Sequence, residues 1–264
     1  SFVKFINKTP PIGKSIVCLD DQNIKKILQL VKTKNFLTYG FDKKANFKIF
    51  NVKYKTQFTL FDLKIASTTT KKDIIKNIKL NLIGKYNVLN AAAAISVCLN
   101  LGVKVKIIKK ALKNFSGVQR RLTKIFNKDK KEFFDDYAHH PTEISSVLEG
   151  LRQVHKKRKI ISIFQPHRYT RVKSLKREFA ESFSNSNIVI LCPIYSAGEK
   201  KDSSYNQNQF AKMISKYSNN QVILINNELE LKNYLRKNLI KDEIIIGMGA
   251  GTISNWLRNL KGKI

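Results

Sequence analysis

Apolar positions recur along this chain in two rhythms. Ile24, Ile27, Leu28 and Val31 fall three and four residues apart behind Asp20 and Asp21, which is one face of a helix with acidic residues at its start. Three runs of β character follow at 35–41, 46–54 and 57–65. In the last of them Phe61, Leu63 and Ile65 alternate with polar residues, as a half-buried strand should. A shorter apolar run lies near 78–83. Gly84 then opens a long helix through Asn100 that Gly102 stops, glycine being suited to the turn that ends a helix. Val105, Ile108, Ala111, Leu112 and Phe115 mark another helical face.

After Gly117 the rhythm changes. Two β-type runs, 122–126 and 132–137, lead to a helix whose start is marked by Pro141 at its first position and Glu143 at the positive end of its dipole. Ile144, Val147, Leu148 and Leu151 form its inward stripe. Strand and helix then alternate. Strands are predicted at 159–164, 187–192, 221–225 and 243–248. Helices are predicted around Leu175, Phe179 and Phe183, over 210–217 and 229–239, and around Ile253, Trp256 and Leu257. Strands apolar throughout, alternating with amphipathic helices, predict an α/β fold with a parallel sheet covered on both faces. Such sheets bind ligands beyond the carboxyl ends of their strands. That rule directs attention to the loops after Tyr137, Phe164, Cys192 and Met248.

The 264 residues can bury a sizeable core in one or two domains. An apolar content of 42% with 26% charged residues fits a soluble globular chain. The longest apolar stretches, 91–97 and 188–193, are too short to span a bilayer. With no basic, apolar leader at the start, the expected location is the cytoplasm. The chain opens at Ser1 on an apolar pattern without a cap or polar tail, which reads as a chain that began further upstream. Cys18, Cys98 and Cys192 share no metal-ligand or redox spacing and each lies in an apolar run, so buried free thiols are expected. The net charge of +31 is spread along the chain among Asn and Ile, not concentrated in a basic block interleaved with aromatics. It is read first as solvated surface of the kind an AT-rich genome encodes. Help in holding anionic phosphate substrates comes second and nucleic-acid binding third.

Several polar segments are candidates for chemistry. Asp135, Asp136, Tyr137, His139 and His140 crowd a strand end and a helix start, where an anion or a ribose hydroxyl can be held. Adjacent histidines there do not present the i, i+4 face of a zinc helix, so no metal site is assigned. His167, Arg168 and Arg171 follow the next strand, a natural clamp for carboxylate or phosphate. Asn87 and Asn90 share one face at a helix start; their carboxamides can read a base edge, or Asn87 can cap the helix. Ala91–Ala94 allow close packing on that helix. Arg120 and Arg121 lie at the change of rhythm, as a phosphate clamp or a plain surface linker. The turn from Gly247 to Thr252 is read as structural, with an anion nest as the alternative. Gly13-Lys14-Ser15 resembles the tail of a P-loop, but Lys8 stands where that motif needs its first glycine.

In this order and spacing, these segments resemble the Mur ligases, the ATP-dependent amide ligases of peptidoglycan assembly, over essentially the whole chain. Asp135–Glu143 and Gln165–Arg171 resemble most the branch that joins L-alanine to UDP-N-acetylmuramate. The muropeptide-recycling branch shares the His-His-Pro segment but usually carries a Glu-Pro-Arg-Ser type loop in place of Gln165–Arg171. It remains an alternative, as does a basic α/β nucleic-acid-binding module. The resemblance implies a Rossmann-like C-terminal domain at 117–264 and, at 1–116, the distal part of a central ATP-binding domain. It implies a reaction in which ATP phosphorylates the lactyl carboxylate and the alanine amine attacks the acyl phosphate. Asn87 and Asn90 match positions facing adenine, Arg121 the arginine near the phosphates, and Asp136 the aspartate on the ribose. Tyr137, His139, His167, Arg168 and Arg171 match positions at the amino-acid end, with His139, Arg168 and Arg171 expected to take part in the chemistry. Tyr86 departs from the family's usual histidine. The family's UDP-binding domain, P-loop and magnesium ligands are not in this sequence; the resemblance implies that they lie upstream and that residues 1–264 alone do not catalyse.

Overall fold

Residues Ser1–Ser116 and Gly117–Ile264 form two units, each built on its own sheet. The computed structural model describes residues 1–66 and 74–264. The first unit runs α1 (Phe2–Asn7), β1 (Ser15–Cys18), α2 (Gln22–Leu28), β2 (Phe36–Gly40), β3 (Phe47–Tyr54), β4 (Thr59–Ile65), β5 (Ile74–Leu80), α3 (Lys85–Asn100) and α4 (Val105–Asn114). Its five strands lie in chain order. β1, β2 and β3 are parallel, and β3, β4 and β5 form an antiparallel meander.

Local chemistry accounts for most of these elements. Asp21 caps α2, its carboxylate accepting from the amides of Asn23 and Ile24 at 2.7 and 2.9 Å. In β4 the residues pointing inward, Phe61 and Leu63, are fully buried. Both join Phe47 and Ile49 of β3, Val88, Ala92 and Ile95 of α3 and Ile108 of α4 in one apolar core. Ala91 and Ala92 are the buried part of the alanine run, so what packs closely against that helix is its own sheet. Gly102, at φ +78, ends the helix as expected. The α1 helix and the β1 strand carry no clear period in the sequence. The β1 residues are all half-buried at the sheet edge, and too few apolar side chains go inward there to write an alternation. Because Gly13 and Lys14 lead into this strand and not into a helix, they do not form a P-loop.

The second unit runs β6 (Thr123–Lys128), β7 (Lys131–Asp136), α5 (Pro141–Val154), β8 (Lys159–Phe164), α6 (Tyr169–Ser174), α7 (Lys176–Glu181), β9 (Ile188–Leu191), α8 (Gln207–Ser218), β10 (Gln221–Leu224), α9 (Glu228–Asn238), β11 (Glu243–Met248) and α10 (Ile253–Asn259). Its strand order is β10-β9-β8-β11-β7-β6. All neighbours are parallel except β6, which pairs antiparallel with β7. Asp129 and Lys130, both at positive φ (52° and 64°), make the tight turn between them. Period alone predicts a parallel sheet here and does not reveal the reversal. One face buries Phe133, Ile161, Ile163, Ile190 and Ile245 against Leu231 and Leu235 of α9 and Leu257 of α10. On the other, Phe164 packs against Phe179 and Phe183, and Phe179 against Phe210 of α8. The predicted helix through Leu175 and Phe183 is two short helices, α6 and α7, broken at Leu175. Among the described residues no helix is long and apolar enough to cross a membrane.

Candidate active site

Strand register decides where the chemistry gathers. Met248, the last residue of β11, pairs with Asp136 on one side and Phe164 on the other, and Phe164 pairs with Leu191. Four carboxyl ends are thus level, and β11, reached only after the chain has turned back at the edge strand β10, is inserted between β7 and β8; such sheets bind ligands beyond the carboxyl ends of their strands. Asp135 and Asp136 close β7 and are fully buried. Being adjacent in a strand, they serve opposite faces. Asp135 accepts from Ser254 Oγ at 2.5 Å and Arg258 Nη2 at 3.2 Å, and so pins α10. Asp136 accepts from the amides of Leu122 and Ala138 at 2.7 and 2.8 Å. Burial pushes its carboxyl up to about 6, while those two amides and Arg121 pull the other way.

The histidines of the two neighbouring loops meet. His139 and His167 have ring centroids 5.6 Å apart, and Tyr137 packs edge-on to His139 at 5.1 Å. Their partners set opposite tautomers. His139 Nδ1 lies 2.9 Å from the Tyr137 carbonyl, which can only accept, so Nδ1 carries a hydrogen and, in the neutral ring, the lone pair is on Nε2. His167 Nδ1 lies 3.0 Å from Arg171 Nη1, which can only donate, so the hydrogen is on Nε2. Burial, followed by the positive charge of Arg171, holds the His167 imidazole below its ordinary value. Arg168 sits at φ +68 at the start of α6, with its amide donating to the Tyr195 carbonyl at 2.9 Å.

The loop after β9 supplies a residue that the sequence reading left unassigned. Tyr195 stacks on the His167 ring at 5.6 Å and 22°, and its amide donates to the Pro166 carbonyl at 2.8 Å. Further along, Glu199 accepts from the Thr170 hydroxyl at 2.5 Å, tying this loop to the one bearing Arg168 and Arg171. A tyrosine close behind a strand's carboxyl end, in a polar loop, was the available signal. The glycine turn is closely packed: a Cβ at Gly251 would stand 2.5 Å from Gln165 Oε1 and 2.6 Å from Tyr195 Cγ.

Comparison with known proteins fits this arrangement. Residues 1–98 match the Mur ligase middle domain, and residues 120–251, half of the chain, match the Mur ligase glutamate ligase domain. The chain belongs to the Mur ligase family. It is 48% identical over 259 residues to a UDP-N-acetylmuramate–L-alanine ligase of Pelagibacter ubique, covering 98% of this chain and 56% of that protein. It is 39% identical to the ligase of the same name from Vesicomyosocius okutanii, covering 99% and 55%. The chain thus spans about half the length of the curated relatives it matches. The solved UDP-N-acetylmuramate–alanine ligase of Thermotoga maritima shares the fold, with a TM-score of 0.72 at 23% identity over 94% of this chain and 51% of that one. A murein peptide ligase of Psychrobacter arcticus shares it at 0.68 and 18% identity, over 99% and 53%.

The remaining candidate positions divide in ways the sequence does not show. The two linker arginines part company. Arg120 Nη2 donates to the Gly249 carbonyl at 2.6 Å, and its guanidinium lies 4.6 Å over the Tyr137 ring. Arg121 stays half-exposed, 3.7 Å from Glu143. In the first unit, Asn90 is exposed on α3. Asn87 does not cap its helix; its amide donates to the Ile83 carbonyl at 2.8 Å. The thiols depart from expectation, since only Cys192 is buried while Cys18 and Cys98 are half-buried. Cys18 lies on the edge strand β1, which leaves one side of each residue uncovered.

Proposed function

We propose that this chain is the ATP- and amino-acid-handling part of a UDP-N-acetylmuramate–L-alanine ligase acting in the cytoplasm. The observation that carries the reading is the 48% identity, over 98% of this chain, to a protein of that name. The convergence of His139, His167, Arg171 and Tyr195 at one sheet edge supports it. Residues 1–116 are then the distal part of the central ATP-binding domain and 117–264 the domain that receives the amino acid.

In this reading Asn87 and Asn90 address adenine and Arg121 the phosphates. Asp136 addresses the ribose once Leu122 releases its carboxylate, for that oxygen is otherwise engaged. Arg168 and Arg171 hold the alanine carboxylate, and the Nε2 lone pair of His139 accepts the proton the ammonium must lose before it attacks the acyl phosphate. Tyr137 and His167 wall the amino-acid pocket. Magnesium supplies charge neutralisation at the ATP phosphates in phosphoryl transfer. Among the described residues no group of three or more histidines, cysteines and carboxylates comes together to hold a metal ion, so no ligand in this chain is assigned to it.

Residues 1–264 alone should show no alanine-dependent ATP hydrolysis. Joined to the part of such a ligase that this chain does not cover, they should release ADP only with UDP-N-acetylmuramate and alanine both present. In that protein Arg168→Ala removes a charge-assisted hydrogen bond and should raise the KM for alanine at least tenfold, on the order of 1.5–3 kcal/mol. Asn90→Ala should raise only the KM for ATP, by roughly three- to tenfold. Equal effects of both variants on both substrates would refute the division.

A further inference from the structure

Glu143 touches both halves of this proposed division of labour. It stands in the first turn of α5, where an acidic residue ordinarily serves the helix dipole, but its two oxygens do separate things. Oε2 accepts from the His139 amide at 3.0 Å and lies 3.4 Å from the same residue's ring Nδ1. Oε1 lies 3.7 Å from Arg121 Nη1. The arginine and the carboxylate are both partly exposed, so their ion pair is weak. A polyphosphate, offering several charged oxygens to a guanidinium, competes for it easily. Arg121 drawn away leaves the imidazole as the remaining charged-hydrogen-bond partner of that carboxylate.

We infer that Glu143 is a positioning residue that shares its carboxylate between Arg121 and His139, so that a phosphate engaging Arg121 tightens the hold of Glu143 on the His139 ring. The Nδ1–H of His139 is then fixed by both the Tyr137 carbonyl and the carboxylate, and the Nε2 lone pair faces away from both. The consequence for amine activation rests on the ligase reading above, but the linkage itself is a property of the second unit and is testable without substrate.

The test is a variant cycle on residues 1–264, reading the ring nitrogens by long-range 1H–15N spectroscopy; four histidines keep the spectrum simple. Arg121→Ala imitates an arginine drawn away and should shift the His139 ring signals through the Glu143 carboxylate that both side chains face. In a Glu143→Gln background, which keeps an acceptor for the His139 amide but loses the charge, the same change should have less than a third of that effect. Arg121→Lys should restore the wild-type position. His155, at the opposite end of α5, is the internal control. The inference is overturned if Arg121→Ala leaves His139 unmoved, if it acts equally in the Gln background, or if His155 shifts as much. No nucleotide or alanine enters the measurement, so failure of the ligase reading would appear separately, as absence of alanine-dependent ADP release.

Discussion

Asp136→Asn should uncouple the stability of the second unit from pH in one defined window. In the folded chain burial raises this carboxyl from its ordinary 3.8 to about 6. An acid raised on folding binds its proton more tightly in the native state. Its contribution to stability is therefore fully present below about 3.8 and is lost as pH rises through about 6. Integrated between the two states, the wild type should gain, relative to the Asn variant, roughly 1.3 kcal/mol between pH 7 and pH 5 and about 2.4 kcal/mol by pH 4. Other carboxyls, among them Glu132 and Asp202, are lowered and run the opposite way. They are common to both proteins and cancel in the difference. The one tryptophan, Trp256, packs against the core of the second unit, so its fluorescence in urea reports that unit and not the first. A difference between variant and wild type that is flat from pH 7 to pH 4, or that grows in favour of the variant on acidification, would refute the argument.

Two further outcomes follow from packing. Gly251→Ala should destabilise the second unit by about 1–3 kcal/mol in the same urea assay. The new methyl meets Gln165, whose side chain cannot yield because it donates to Thr252 Oγ1 at 3.0 Å and accepts from the Ile253 amide at 3.1 Å. An unchanged midpoint would contradict this. Cys192 is buried and its thiol is pushed up to about 12, so a disulfide reagent at pH 8 should leave it unmodified until the unit unfolds, while Cys18 and Cys98 react earlier. Mass spectrometry of peptides from briefly treated native protein would show the order.

Sequence alone determined what depends on short range. The stripe Ile144, Val147, Leu148 and Leu151 is buried as its period requires. Pro141 stands at the first position of α5, Gly102 ends α3, and the alternation of strand and helix after Gly117 gave the fold class. The candidate residues were legible for the same reason, since polar side chains interrupting apolar runs at strand ends are a local signal. Pairings across the chain were not legible. No local pattern places β11 between β7 and β8, yet that insertion makes Asp136, Met248 and Phe164 neighbours and so brings three distant loops to one edge. Nor does adjacency tell Arg120, bound to the carbonyl of Gly249, from Arg121 beside Glu143, or Asp135 on α10 from Asp136 on Leu122. Asp135 and Asp136 leave the extended backbone of β7 in opposite directions, Arg120 stands in a turn at φ +58, and what each side chain meets is supplied by segments that only the tertiary structure brings near.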